Sequence, residues 1–193
     1  MTRDDLLDLF RRSGGLLEGH FRLTSGLHSS GYLQCALVLQ HPQHAEALGR
    51  AIADSTRELR PSVVLSPALG GLIIGHEVAR ALGARAIFAE RQDGALTLRR
   101  GFVIAGTDRV LVVEDVLTTG GSTRETMQVA RAAGGQVVGA AAIVDRGGGA
   151  RAAFDVPFVA LLDIDLPTFE PSACPLCAQG LPVVKPGSRP VAT

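Results

Sequence analysis

The sequence contains no tryptophan, one tyrosine, one lysine and only three cysteines in 193 residues. Three cysteines are too few for the disulfide framework of a small secreted protein. No apolar run approaches the roughly 18 residues that a membrane-spanning helix needs. The first ten residues, MTRDDLLDLF, lack the apolar core of a signal peptide. These absences predict a cytoplasmic protein that has no membrane segment.

The chain also has no excess of charge of either sign, since 19 basic and 19 acidic residues balance. A neutral chain has no global field that would draw it to nucleic acid, so we expect no nucleic-acid partner. Because Lys185 is the only lysine, arginine or backbone NH groups must take the roles that lysine often fills. A hydrophobic content of 46% predicts one folded domain with a real core.

No internal repeat is visible, and apolar strands alternate with amphipathic helices along most of the chain. Strands are predicted at 63–65, 85–89, 110–113, 137–144 and 158–162, helices at 3–12 and from Pro42, Gly71 and Ser122, and hairpins at 20–35 and 95–104. The second hairpin is predicted to turn around 99–101. This order predicts an α/β fold in which a mostly parallel sheet is flanked by helices and binds ligands at the carboxyl ends of its strands.

The most informative segment is VLVVEDVLTTGGS, residues 110–122. After a buried strand, Glu114 and Asp115 offer carboxylates that suit ribose hydroxyls, directly or through a bound magnesium ion. The loop Thr118-Thr119-Gly120-Gly121-Ser122 then enters a helix, whose free NH groups and added hydroxyls suit a phosphate monoester. A plain helix cap beside two solvated acids is the alternative, and Ser122 with Glu125 fits a capping box. The segment lacks both the GK[ST] of a Walker A loop and a G-x-G-x-x-G fingerprint.

VLVVEDVLTTGGS closely resembles the phosphoribosyl pyrophosphate (PRPP) signature of type I phosphoribosyltransferases. The resemblance implies that Glu114 and Asp115 hold the ribose hydroxyls, that residues 118–122 bind the 5′-phosphate, and that the enzyme uses Mg²⁺, held through the substrate and by the two carboxylates. It also implies the type I phosphoribosyltransferase fold and a homodimer.

Two other segments resemble the family's pyrophosphate contacts. Residues 66–71 resemble its pyrophosphate loop, in which Ala68, Leu69 and Gly70 would meet the leaving group and the Ala68–Leu69 peptide is expected to be cis or strained. Residues 88–102 resemble the region of the mobile catalytic loop, where only Arg91 matches cleanly. That region has no lysine or histidine, and Arg99 and Arg100 could take over part of the charge. The resemblance assigns catalytic roles to Arg91 and Asp115.

The segment GHFRLTSGLHSSGYLQ resembles the hood of orotate phosphoribosyltransferases, with Thr24 at a position where many members have lysine. The resemblance assigns the orotate site to Thr24, Tyr32, Leu33 and Thr118. Arg146 follows a buried strand at the ligand edge, and its planar guanidinium suits the carboxylate of orotate. An ordinary amphipathic hairpin and a surface arginine in a salt bridge are the alternatives. An acceptor purine, or a PRPP-sensing regulator of the same fold, also remains open at this stage.

The tail CPLCAQGLPVVKPGSR resembles the ending of a bacterial branch of the orotate enzymes. Cys174 and Cys177 could form half of a zinc site, but four ligands are needed and the chain has no second cysteine pair. Cys35, a histidine or a second subunit could complete such a site, although the five histidines show no metal-binding spacing and are expected to be structural or at the surface. We predict a single domain, with a hood from residues 1–40 plus the tail and a core over 41–166.

Overall fold

A computed structural model describes residues 1–23, 25–147, 149 and 154–186. Its main sheet has six strands in the order β5-β4-β3-β6-β7-β8, and only β5 runs antiparallel to its neighbour. The strands of this sheet are β3 Val63–Pro67, β4 Arg85–Gln92, β5 Ala95–Leu98, β6 Arg109–Leu117, β7 Gln136–Asp145 and β8 Phe158–Asp163. This is the mostly parallel sheet of the predicted fold class.

Helices cover both faces of the sheet. The helices are α1 Arg3–Arg12, α2 Cys35–Leu39, α3 Pro42–Thr56, α4 Gly71–Leu82, α5 Gly121–Ala132 and the short α6 Pro175–Ala178. Pro42 is the first residue of α3, where a proline loses no intrahelical hydrogen bond. Gly83 ends α4 in the left-handed conformation. Among the described helices none has the length and apolar character needed to cross a bilayer.

The central strand β6 separates two hydrophobic clusters, because successive side chains of a strand point to opposite faces. Val110 and Val112 face the cluster that includes Met127 of α5. Leu111 and Val113 face the larger cluster, built with α1, α2, α3 and α4. These four residues of β6 are fully buried, which explains why residues 110–113 read as a continuous apolar run. This burial fixes the position of the carboxyl end of β6.

A second, three-stranded sheet lies at the site of the predicted hood. Strand β1 (Leu16–Arg22) pairs antiparallel with β2 (His28–Leu33), and β2 pairs with the two-residue strand β9 (Thr168–Phe169) from the tail. The tail also adds a bridge between Phe21 and Val184. Residues far apart in the chain thus complete the hood.

The hairpin predicted at 95–104 lies earlier in the chain, between β4 and β5. Strands β4 and β5 pair from Ala89 with Leu98 to Gln92 with Ala95, so the turn consists of Asp93 and Gly94. Both have positive φ, 51° and 87°, as a two-residue hairpin turn of type I′ requires. The turn predicted around 99–101 does form, with Phe102 N donating to Arg99 O at 3.0 Å. It is not the hairpin connection, because Asp93-Gly94, a strong turn signal, joins the two paired strands.

Candidate active site

The loop after β6 enters α5 through a glycine at the predicted phosphate site. Gly120 has φ of 71°, a left-handed conformation that glycine adopts without strain, and α5 begins at the next residue. The first intrahelical hydrogen bond runs from Arg124 N to Gly120 O at 3.0 Å, so the amides of Gly121 to Thr123 lie before it. These amides and the partial positive charge of the helix end form a site for an anion.

The capping box predicted from Ser122 and Glu125 is wrong. Helix α5 begins one residue earlier, with Gly120 as its N-cap and no capping hydrogen bond from a side chain. The Glu125 carboxylate instead accepts a hydrogen bond from Leu96 N at 2.7 Å and pairs with Arg91. Ser122 is left in the first turn, at the predicted phosphate site.

The acidic pair lies in the carboxyl-terminal half of β6, just before this loop. Thr123 Oγ1 donates a hydrogen bond to Glu114 Oε2. The pKa of Glu114 is raised to about 7, mainly by burial; the Thr123 hydrogen bond opposes the rise and the Asp115 charge adds to it. Burial also raises the pKa of Asp115, against hydrogen bonds from backbone NH groups. Two desolvated carboxylates of this kind are stabilised by hydroxyl donors or a cation.

The loop after β3 lies against the acidic pair. The Ala68–Leu69 peptide is cis, in agreement with the prediction. A Cβ at Gly70 would lie 2.6 Å from Asp115 Oδ1, so the backbone can approach this carboxylate only because residue 70 is glycine. Leu69 is 82% exposed. The structure therefore brings the predicted pyrophosphate loop and ribose carboxylates together.

Arg146 lies at the end of β7 in a pocket of about 270 Å³. The pocket is lined by Thr118, Arg146, Gly147, Asp165, Leu166, Pro167 and Thr168. Arg146 Nε is buried and has no hydrogen-bond partner, and no ion pair involves Arg146 in the described parts of the chain. Partial burial lowers the pKa of Arg146. A bound carboxylate would satisfy this guanidinium.

The hood packs on the same pocket. Ser29 Oγ donates a hydrogen bond to Pro167 O at 3.0 Å, and a Cβ at Gly31 would lie 2.6 Å from Leu166 Cδ2. Tyr32 and Leu33 follow on β2 but are not among the residues that line the pocket. Thr24, also predicted to bind orotate, lies outside the described residues. Of the predicted orotate contacts, the structure thus brings Thr118 and Arg146 together.

The Arg91 guanidinium is engaged by other residues of the protein and is not free to contact a ligand. Its Nη2 donates to Glu125 Oε2 at 2.9 Å, and its Nη1 donates to Gly94 O at 2.6 Å. Arg100 pairs with Glu90 and lies over the Phe88 ring, whereas Arg99 is exposed. The structure therefore places the predicted catalytic Arg91 in an ion pair with α5, and its proposed role requires exchange of Glu125 for a ligand.

Sequence reasoning missed the segment 165–168, which forms one wall of the Arg146 pocket. The signal was present, because this segment follows β8, and β8 ends at the same sheet edge as β6 and β7. A concave surface of about 660 Å³ along α3 includes none of the predicted site residues. The chemistry is therefore concentrated at the carboxyl edge of the sheet.

This combination of a phosphate loop, an acidic pair and a glycine loop at the edge of one parallel sheet defines a protein that binds a phosphorylated sugar. A family model of the phosphoribosyl transferase domain matches residues 36–165. The chain belongs to the phosphoribosyl transferase family and, within it, to the orotate phosphoribosyltransferases.

Full-length relatives support that assignment. The orotate phosphoribosyltransferase of Pelotomaculum thermopropionicum is 54% identical over 191 residues, which cover 99% of this chain and 100% of the relative. That of Heliobacterium modesticaldum is also 54% identical, over 98% of this chain and 100% of the relative. A crystal structure of Mycobacterium tuberculosis orotate phosphoribosyltransferase in complex with PRPP matches with a TM-score of 0.68 and 29% identity, over 84% of this chain and 96% of that one.

Proposed function

We propose that this protein transfers the phosphoribosyl group of PRPP to N1 of orotate, which gives orotidine 5′-phosphate and pyrophosphate in pyrimidine (UMP) biosynthesis. The observation that carries the choice of acceptor is the half-buried Arg146 side chain, whose buried Nε has no partner among the described residues. Orotate has a carboxylate that a planar guanidinium binds in bidentate fashion, whereas purine bases have none. The full-length similarity to orotate enzymes supports the same choice.

In this mechanism the C1–O bond to pyrophosphate breaks, a C1–N1 bond to orotate forms, and orotate gives up its N1 proton. The protein supplies no nucleophile, so its task is to align the two substrates and to stabilise the charges that develop. The amides after Gly120 hold the 5′-phosphate. Glu114 and Asp115 bind the ribose hydroxyls near the reacting carbon.

The loop 68–70 and Arg91 are proposed for the pyrophosphate. Gly70 already touches the Asp115 carboxylate, so a pyrophosphate on this loop would lie beside the ribose site. Arg91 joins it when its guanidinium leaves Glu125. Tyr32 and Leu33, on the hood strand that packs on the Arg146 pocket, are proposed to cover the orotate ring.

Mg²⁺ is part of the proposal. The Glu114 and Asp115 carboxylates fit a hard cation, because both are desolvated and neither takes part in an ion pair within the described residues. When bound, Mg²⁺ supplies positive charge that neutralises the pyrophosphate. We further propose a cytoplasmic homodimer, on the strength of the sequence composition and of the family resemblance.

The test follows the loss of orotate absorbance after PRPP and Mg²⁺ are added, with adenine, hypoxanthine and uracil in parallel. We expect turnover of orotate alone, and its abolition by EDTA. Arg146→Gln is expected to raise the KM for orotate about 10- to 100-fold, since a charge-assisted hydrogen bond contributes about 1.5–3 kcal/mol. The KM for PRPP should change little.

Arg50→Gln, on the exposed surface of α3, is the matched control and should leave both constants unchanged. Turnover of a purine would contradict the assignment of Arg146. Binding of PRPP without turnover of any base would indicate a PRPP-sensing regulator instead.

A further inference from the structure

A cluster of four metal-binding side chains lies between the hood and the tail, and no part of the proposed reaction uses it. The cluster consists of His20, His28, Cys174 and Cys177. His20 is on β1 and His28 begins β2, whereas Cys174 and Cys177 flank the first turn of α6. The fold therefore joins two histidines and two cysteines that are about 150 residues apart in the chain.

The ligand atoms converge on one point. One nitrogen or sulfur atom from each residue lies within 4.8 Å of all the others. Cys174 Sγ and Cys177 Sγ lie 3.6 and 3.7 Å from His20 Nε2, and Cys177 Sγ lies 3.3 Å from His28 Nδ1. His20 Nε2 and His28 Nδ1 are 2.8 Å apart.

These separations match one tetrahedral ion. With Zn–S bonds of about 2.3 Å and Zn–N bonds of about 2.0–2.1 Å, neighbouring ligand atoms of a tetrahedron are roughly 3.3–3.8 Å apart. Three of the measured distances fall in this range, and the two nitrogens are somewhat closer. The compact set has room for a single ion. Two sulfurs with two imidazole nitrogens favour zinc among the common metals.

The surroundings of His20 support metal binding. His20 Nδ1 lies 2.8 Å from Leu181 O, so this nitrogen carries the proton and donates it to the carbonyl. The lone pair of Nε2 is then directed at His28 and the two cysteines. A backbone acceptor on the far nitrogen is the usual way in which a protein orients a metal-binding histidine.

The burial of this cluster distinguishes it from a chance grouping of polar side chains at the surface. His20 is 4% exposed, His28 7% and Cys174 4%, while Cys177 is exposed. Three buried polar side chains therefore share one point without any aromatic or aliphatic filling between them. In the metal-free alternative, the two histidines would hydrogen-bond to each other, and neither thiol would have a strong hydrogen-bond partner.

We propose that His20, His28, Cys174 and Cys177 form a structural zinc site that fastens the tail to the hood. The tail already contacts β1 there, because Val184 N donates to His20 O and Arg22 N donates to Val184 O, both at 2.8 Å. A zinc ion would add four bonds to these two hydrogen bonds. The proposal is independent of the reaction, since it concerns metal content and stability.

The test measures the metal content of the full-length protein produced in zinc-supplemented medium and dialysed against metal-free buffer. We expect about one zinc ion per chain. Cys177→Ser changes the most exposed ligand and so disturbs packing least, and it should lose the zinc. Cys35→Ala and His76→Asn remove a cysteine and a histidine outside the cluster, and both should keep it.

Cobalt substitution gives a readout that folding alone does not produce. The wild-type protein with Co²⁺ should show tetrahedral ligand-field bands and thiolate charge-transfer absorption, and Cys177→Ser, which does not hold the ion, should show neither. A zinc chelator should lower the melting temperature of the wild type, with recovery when zinc is returned, but should leave that of Cys177→Ser unchanged.

A wild-type chain that contains no zinc and gives no tetrahedral cobalt spectrum would overturn the proposal. So would a Cys174–Cys177 disulfide, seen as a loss of two hydrogens in the intact mass of the metal-free native protein. Equal zinc content in Cys177→Ser and Cys35→Ala would place the metal elsewhere and contradict it as well.

Discussion

At the scale of single residues, the acidic pair shows how burial prepares a site for its ligand. Glu114 and Asp115 come directly after four fully buried residues of β6, so their carboxylates cannot reach bulk water freely. Burial raises the pKa of both carboxyls. Hydroxyl donors or a cation would stabilise the charged form of these carboxyls, which burial disfavours.

The raised pKa of Glu114 predicts a pH dependence of stability. Its value is about 7 in the folded protein against 4.5 for the free group, so the folded state binds more protons between these pH values. The stability that this group contributes is therefore present below pH 4.5 and is lost as the pH rises through about 7. The loss amounts to about 3 kcal/mol, at 1.36 kcal/mol per unit.

Glu114→Gln should remove this loss. In metal-free, ligand-free buffer, urea unfolding should show the variant gaining stability relative to the wild type as the pH rises from 4.5 to 7.5. Glu58→Gln, at an exposed carboxylate, is the matched control and should show a constant difference. A constant difference for Glu114→Gln too would contradict the burial argument.

The roles of residues whose partners are distant in the sequence were the hardest to predict. Glu125 looks like a capping residue for its own helix, but Leu96 and Arg91, about 30 residues earlier, hold its carboxylate. His20 and His28 have no metal-binding spacing with each other, because their partners are in the tail. Arg146 was predictable, since it directly follows an apolar strand whose end defines the ligand edge.

At the scale of elements, α3 and α4 approach closely at a glycine. A Cβ at Gly49 would lie 2.5 Å from Glu77 Cβ and 2.8 Å from the carbonyl carbon of Glu77. Glycine is unfavourable within a helix by about 0.5–1 kcal/mol relative to alanine. Its presence on the buried face of α3 is explained by this contact.

Gly49→Ala should therefore destabilise the protein, although alanine is the better helix former. The added methyl group forces α3 and α4 apart, and overpacking of this kind costs about 1–3 kcal/mol. Thermal or urea unfolding measures the change. Ser55→Ala, on the exposed side of the same helix, should be neutral or slightly stabilising. A stabilised Gly49→Ala would show that the two helices can separate at little cost.

The parallel core was accessible to prediction because each of its strands reads as an apolar run and each helix has one apolar face. Strand β6 and helix α3 were predicted close to their observed positions for this reason. The hairpin turn was predicted at Arg99-Arg100-Gly101, whereas Asp93-Gly94 joins the two paired strands. Strand β9 has only two residues and no pattern of its own, and it exists only because β2 offers it an edge.

At the scale of the whole molecule, the balance of charge determines how strongly two molecules repel each other. The net charge is zero at pH 7 and the isoelectric point is about 7.0. Without net charge, molecules do not repel one another, and exposed apolar side chains such as Leu69 and Val103 can associate.

We therefore expect the lowest solubility near pH 7. The polyethylene glycol concentration that precipitates half of the protein should pass through a minimum close to this pH and rise on both sides. Added salt should have little effect at the minimum and more effect away from it, since salt screens only a net charge that exists. A solubility that changes in one direction from pH 5 to pH 9 would contradict this expectation.

The partnership of β2 with β9 fixes the order in which the protein can become active during its synthesis. The hairpin of residues 16–33 leaves the ribosome well before the segment 165–169, which supports it and forms a wall of the Arg146 pocket. The phosphate loop can fold with the core before that moment. A nascent chain would thus fold its phosphate loop before it completes the Arg146 pocket.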